Sequence, residues 1–392
     1  MDKKNKNPNV PNLRFSSFTN SYCVYTLGEI LQRVSNPVNI DENKLYYQIG
    51  IRSHSKGIFY KKAETGKQIG NKKIFWVESN CLILNIVFAW EQAVAKTSQK
   101  EIGMVVSHRF PMYKVLNNSL DYIVDFFKTE KGRQVLQMAS PGGAGRNKTL
   151  NQKFFLNSKV YLPSLKEQLI ISRFIALIEN RIETQIKIIE DLVLQKKYII
   201  SSLLTPFQDK KKILLKDILF DYNVKTTSNN EYPVLSSTAS GIYLQSEYFN
   251  NKEASSDNTA GYKIIPRGYC TYRSMSDTGL FTFNIQNLVE RGIVSPAYPV
   301  FSSNEYINEF IILYLNNSTD IKKQILELKS GGTRFALSFS TLCTLKIPKL
   351  EKEKQLSLVK TVTAFERKIE NEEIILNKLH QQKKYLLNNM FI

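Results

Sequence analysis

The chain of 392 residues contains one pattern twice. Leu27-Gly28-Glu29-Ile30-Leu31 returns 188 residues later as Leu215-Lys216-Asp217-Ile218-Leu219. At the same offset, Val106-Ser107-His108-Arg109-Phe110-Pro111 meets Val294-Ser295-Pro296-Ala297-Tyr298-Pro299. Further on, Leu162-Pro163-Ser164-Leu165-Lys166-Glu167-Gln168 and Ile347-Pro348-Lys349-Leu350-Glu351 each open a long helical run. A solenoid is excluded, because its repeats span only about 20 to 50 residues. The pattern predicts a duplicated block, a globular head followed by a long helix. The heads otherwise differ widely, so two unlike heads are carried on two like helices.

The helical runs are the clearest local signal. Over 164–204, Phe174, Ile178, Ile182, Ile186, Ile189, Val193, Ile200 and Leu203 recur at steps of three or four, with Lys196 in one seam place. Pro206 ends that run, because proline cannot continue a helix. In the second run, Val362, Phe365, Ile369, Glu372, Leu376, Leu379, Lys383, Leu386 and Met390 alternate steps of three and four, a heptad seam with two polar members. Each run of roughly 41 residues would extend about 60 Å. Neither can bury its stripe alone. Packing them antiparallel is the economical solution, since the second head must return between them. The alternative is two ordinary helices of a larger bundle.

Both heads mix strand and helix signals in the same order. The first has β-like runs at Leu82-Ile83-Leu84-Asn85-Ile86-Val87-Phe88 and Gly103-Met104-Val105-Val106, then one helix-like stretch over 120–138. The second has Tyr262-Lys263-Ile264-Ile265 and Gly268-Tyr269-Cys270-Thr271-Tyr272, then a helical stretch over 305–329, broken near Asn316-Asn317-Ser318. The expected fold class is therefore mixed α/β (α+β). The expected divisions are a tail at 1–26, a first head at 27–161, a spacer helix at 162–206, a second head at 207–347 and a second spacer helix at 348–392, with the halves related by a pseudo-twofold.

No apolar stretch approaches 18 residues, so no membrane span is expected. The polar start, MDKKNKNPNVPN, offers no secretory leader. Cys23, Cys81, Cys270 and Cys343 lack any CxxC spacing. That predicts reduced thiols in the cytoplasm, with neither a zinc site nor a disulfide framework. The net charge of +19 is concentrated: residues 1–161 hold 24 basic and 11 acidic side chains, whereas 207–347 hold 15 and 13. A basic head points to a polyanion, most often nucleic acid, although basicity also serves solubility.

No catalytic pattern is present. The chain lacks GxxxxGK[ST], lacks a GxGxxG after a strand and lacks the Asn-Pro-Pro-aromatic motif of amino-methyltransferases. His54, His108 and His380 are too few and too scattered for a triad or a metal site. Asp41-Glu42-Asn43-Lys44 contains ExK but no separated metal-binding aspartate in a strand context. These absences favour a recognition protein over an enzyme.

Two glycine-rich basic loops precede the long helices. One is Ser140-Pro141-Gly142-Gly143-Ala144-Gly145-Arg146-Asn147-Lys148, the other Ser330-Gly331-Gly332-Thr333-Arg334. Glycine lets backbone N–H groups approach a phosphate, and Arg146, Lys148 and Arg334 supply charge. The alternative is a hinge between head and helix. Asn85, Trp90, Glu91 and Gln92 in the first head, and Tyr272, Arg273, Ser274 and Asp277 in the second, directly follow expected strands. There, polar side chains could reach base edges, with Asn and Gln suited to adenine and Arg to guanine. For Trp90 and Tyr272, core or rim packing is the competing role.

The pattern as a whole resembles the specificity subunits of type I restriction–modification systems. The resemblance rests on Pro11-Asn12-Leu13-Arg14-Phe15, Phe18-Thr19-Asn20, Leu27-Gly28-Glu29, Gly292-Ile293-Val294-Ser295-Pro296-Ala297-Tyr298, the Gly-Gly loops, and Leu162–Gln168 with its helix. It covers nearly the whole chain. One departure is the second helix opening, Pro348-Lys349-Leu350-Glu351-Lys352-Glu353-Lys354-Gln355, which is longer than the family's proline–leucine–glutamate–glutamine pattern. The resemblance implies two tandem target-recognition domains, each reading half of a split, asymmetric sequence in double-stranded DNA, with the paired helices fixing the gap. It implies two methyltransferase subunits using S-adenosylmethionine to methylate adenine, and two restriction subunits driven by ATP with Mg2+. This chain itself would bind no cofactor and catalyse nothing. Other classes are a stand-alone bipartite DNA-binding protein or orphan specificity subunit, a fused restriction or modification enzyme, and a coiled-coil adaptor for proteins.

Overall fold

The computed structural model describes residues 10–142, 148–207, 210–248, 258–328 and 335–392. The chain divides into two compact units: Met1–Ile186 with Ile374–Ile392, and Lys187–Glu373. Both divisions fall inside the two long helices, Leu165–Leu204 and Lys352–Met390. Each unit thus combines a head with one end of each long helix. No helix among the described residues is long and apolar enough to cross a membrane.

In the first unit, a four-stranded antiparallel sheet runs in the order Leu31–Val34, Met112–Val115, Leu82–Leu84, Val94–Lys96. Side chains alternate between two cores, as a strand's period of two demands. Leu82, Leu84, Val94 and Tyr113 join the cluster reaching the long helices, whereas Ile83, Ala95 and Met112 enter a separate cluster with Ile49, Val77 and Val106. With both faces buried, the run Leu82–Leu84 is apolar throughout.

The second unit repeats this sheet as Leu219–Asp221, Val300–Ser303, Cys270–Tyr272, Phe283–Ile285. The pairings Met112↔Ile83 and Tyr113↔Leu82 return as Val300↔Thr271 and Phe301↔Cys270, each residue displaced by 188. Leu31↔Val115 returns as Leu219↔Ser303 at the same displacement. The duplication therefore extends to strand order and register, beyond the few motifs that survive in sequence.

The expected single helix over 120–138 is two helices, Leu120–Lys128 and Glu130–Met138. Thr129 breaks it by adopting an extended backbone and capping the second helix, its hydroxyl accepting the Gly132 N–H. Gly132 is required there, since a Cβ would stand 2.2 Å from the Phe126 carbonyl oxygen. The second head has Asn308–Asn317 and Thr319–Glu327, broken at Ser318 as expected.

Opposite ends of the long helices meet in each unit, so their pairing is antiparallel. In the first, Ile175, Ile178 and Ile182 share a cluster with Leu379, Leu386 and Met390. Lys383 bonds Glu179 at 2.6 Å. In the second, Ile200 and Leu204 share a cluster with Leu358 and Val362, and Lys196 reaches Glu366 at 3.2 Å. All nine expected seam residues of the last helix are buried or half-buried. The seam of Leu165–Leu204 differs from expectation. Ile186 is 39% exposed, and the buried stripe passes through Gln185 and Leu192 instead.

Residues 10–26, expected as a tail, are built into the first unit. Arg14 donates two 2.7 Å hydrogen bonds to Glu167, and the Leu13 N–H reaches the Asn389 carbonyl oxygen at 2.9 Å. Tyr22 is buried, and Cys23–Thr26 pairs with Lys159–Leu162.

Candidate nucleic-acid interface

In the first unit, several loops meet where Leu82–Leu84 ends and Met112–Val115 begins. The Ile86 N–H bonds the Arg109 carbonyl oxygen at 3.0 Å, and the Leu150 N–H bonds that of Ile86 at 2.8 Å. The N–H groups of His54 and Ser55 bond the carbonyl oxygens of Glu91 and Gln92. His54 and Ser55 hold φ of 58° and 54°, a left-handed pair that non-glycine residues rarely adopt. Arg52, His54, Lys56, His108 and Arg109 are exposed around this end of the sheet, as is Phe88.

The candidate residues divide sharply here. Trp90 donates its indole N–H to the Val87 carbonyl at 3.2 Å and carries the Lys148 ammonium 5.2 Å from its ring centroid. A cation over an indole face is attractive by about 0.5–1 kcal/mol at an exposed site. The structure therefore brings Trp90 and Lys148 together. Asn85 is buried, and its side-chain oxygen accepts the Val87 N–H, so it shapes the turn instead of facing a base. Gln92 also turns inward. Its amide nitrogen donates to the carbonyls of Phe127 and Thr129 at 2.9 and 3.1 Å, closing the end of the Leu120–Lys128 helix. Gly142 is exposed with φ of 141°. Gly143 and Arg146 lie outside the described residues.

The equivalent end of the second sheet is hollowed by a cavity of about 470 Å³. Its lining includes Arg273, Ser276, Asp277 and Thr278 together with Ser236–Thr238 and Tyr298. Arg273 is exposed, and the Ser274 carbonyl accepts the Leu337 N–H at 2.8 Å. Tyr272 belongs to the core. It is fully buried, donates its hydroxyl to the Leu337 carbonyl at 3.0 Å and packs on Phe283 and Phe301. A residue one place along a strand faces the opposite way, which separates Arg273 from Tyr272. Gly331, Gly332 and Arg334 lie outside the described residues.

Sequence reasoning missed the contribution of 107–110 and 295–298. These segments served as marks of the repeat, and 295–298 also of the resemblance, yet each leads into the second strand of its sheet. Their positions at the same displacement on opposite sides of one duplication were the available signal.

Below this end of the first head, charged groups join it to the long helices. Lys128 bonds Asp125 at 2.8 Å and Glu179 at 3.0 Å, and Lys383 completes the chain on Glu179. Burial pushes the Asp125 carboxyl up to about 6, only partly opposed by Lys128.

No protein-family model matches the chain. Its fold is that of solved type I restriction–modification specificity subunits. The HsdS subunit from Thermoanaerobacter tengcongensis superposes with a TM-score of 0.55 at 13% identity, over 94% of this chain and 96% of that one. A chain from a study of complex assembly and conformational transition in the type I R-M system gives 0.61 at 14% identity, over 94% and 97%. The type I restriction–modification S subunit from M. genitalium gives 0.53 at 13% identity, over 98% and 99%.

Proposed function

We propose that this chain is the DNA sequence-recognition subunit of a type I restriction–modification complex. The observation that carries the reading is the duplicated head, with one strand order and register but unlike loops at the same end of each sheet. Such a pair presents two different surfaces on one scaffold, which an asymmetric, bipartite DNA target requires. The likeness to solved specificity subunits over nearly the whole chain supports the same reading. In it, 27–161 and 207–347 are the target-recognition domains, and 162–206 and 348–392 are spacer helices. Lys148 with Trp90, and Arg273, face double-stranded DNA. Arg146, Arg334 and the paired glycines meet phosphates.

Catalysis in this reading belongs to partners: two methyltransferase subunits using S-adenosylmethionine and two restriction subunits using ATP and Mg2+, in the cytoplasm. Exposed Leu169 and Leu177 in the first unit, and Leu194 and Tyr198 in the second, support docking of partner subunits on the first long helix. Sequencing genomic DNA for methylated adenine, with and without the gene, tests the proposal. A bipartite methylated motif that disappears with the gene is expected. Unchanged methylation would overturn the methylation role, and DNA binding without a co-purifying methyltransferase would identify a stand-alone reader.

A further inference from the structure

We infer that Arg109 reads a guanine edge in the first half-site and that Ala297, at the same place in the second head, gives that head a different preference. The inference rests on the DNA-reading function proposed above and assigns one of its specificity-determining side chains.

The two residues sit on one kind of turn. In the first head, the Ser107 carbonyl accepts the Phe110 N–H at 3.0 Å, and the Ser107 hydroxyl accepts the Arg109 N–H at 3.4 Å. In the second, the Ser295 carbonyl accepts the Tyr298 N–H at 2.9 Å, and the Ser295 hydroxyl accepts the Ala297 N–H at 3.4 Å. Both turns lead into equivalent strands, and Arg109 and Ala297 are both exposed. The Arg109 backbone is held further by the Ile86 N–H on its carbonyl, next to the Trp90 turn. The backbone is fixed while the side chain leaves it.

Other described arginines of this head are engaged. Arg14 is held by Glu167, Arg33 by Gln152, and Arg133 by Glu130, while Arg52 lies over the Phe59 ring. Among the described residues, no hydrogen bond, ion pair or ring contact involves the Arg109 guanidinium. Its planar fork stays charged and matches the O6 and N7 acceptors of guanine. The contrast with Ala297 argues for a base over a phosphate. The sugar–phosphate backbone is common to both half-sites, so a phosphate contact would serve both heads alike. Bases are what two half-sites do not share, and the side chain differs where the turn does not.

The test is selection from randomised duplexes by the full chain, with any subunits that co-purify. Wild type should fix guanine at one position of one half-site. Arg109→Ala should lose at least about 5-fold of that preference at that position alone. Arg109→Lys should keep part of it, losing less than Arg109→Ala does, while random-DNA affinity stays within about 2-fold, because lysine keeps the charge and its donors without the planar fork. Ala297→Arg should alter the other half-site only. If Arg109→Ala keeps the guanine preference, Arg109 is no base reader and the inference is wrong. If wild type enriches no sequence, DNA reading itself fails, which is a separate result.

Discussion

The side-chain oxygen of Gln168 accepts the backbone N–H of Ser119 at 2.9 Å, tying the first turn of a long helix to the start of the helix Leu120–Lys128. Its amide nitrogen donates to the Pro163 carbonyl and the Asn118 side chain. Gln355 does the same in the second unit, accepting the Ile307 N–H at 2.9 Å and donating to the Leu350 carbonyl. Both glutamines are essentially unexposed. Each latches a head to its own helix. Gln168→Ala or Gln355→Ala leaves buried N–H and C=O groups without partners, a cost of about 1–3 kcal/mol. Denaturant unfolding of each variant measures it, and a loss under about 0.5 kcal/mol would remove the latch.

The charged chain from Asp125 through Lys128 to Glu179 and Lys383 makes the first unit sensitive to pH. The Asp125 carboxyl, held near 6, binds its proton more tightly in the folded than in the unfolded state. Its contribution to stability is full below its ordinary pKa of 3.8 and is lost as pH rises through about 6. The shift corresponds to at most about 3 kcal/mol. Asp125→Asn should flatten the fall in unfolding free energy between pH 4 and 7. A wild-type slope retained in the variant would locate the titration elsewhere.

How far the sequence exposed this architecture varies by element. The last long helix was legible because its apolar residues already alternate steps of three and four. The first was legible as a helix but not along its whole seam, because Phe174, Ile178, Ile182 and Ile186 follow steps of four, a row that precesses around the helix and leaves Ile186 exposed. The buried stripe keeps to the alternating rhythm and so takes in Gln185. The longer opening of the last helix obscured a shared role, since Gln355 lies farther from its proline than Gln168 does from Pro163. Near the loops, a one-residue uncertainty at a strand end exchanges inside and outside. That is why Arg273 emerges exposed and Tyr272 does not.

A matched heptad removed from both long helices, beginning with 185–191 in the first, should keep the seam in phase. Seven residues of helix rise about 10 Å, on the order of three base pairs. The methylated half-sites should stay unchanged while the gap between them shortens. Altered half-sites with a fixed gap would refute the helices as a ruler. In the complementary exchange, replacing 27–161 by the first head of one of the solved type I specificity subunits should change one half-site, and coordinated change in both would contradict independent reading.

Lys148 and Gln92 now separate into opposite predictions. Lys148 lies over Trp90 at the exposed end of the sheet, and Arg146 shares its loop in the sequence. Replacing Arg146 and Lys148 by alanine should weaken binding to specific and random duplexes about equally. It should also lower the slope of log affinity against log salt by roughly one per lost phosphate contact. Gln92, with its amide spent on Phe127 and Thr129, has no donor left for a base. Gln92→Ala should leave base preference intact and cost about 1–3 kcal/mol of stability, through two carbonyls deprived of their donor. Titrations across salt, alongside denaturant unfolding, distinguish the two. An unchanged salt slope would reduce the Arg146–Lys148 loop to a hinge, and relaxed base preference in Gln92→Ala would return that side chain to the interface.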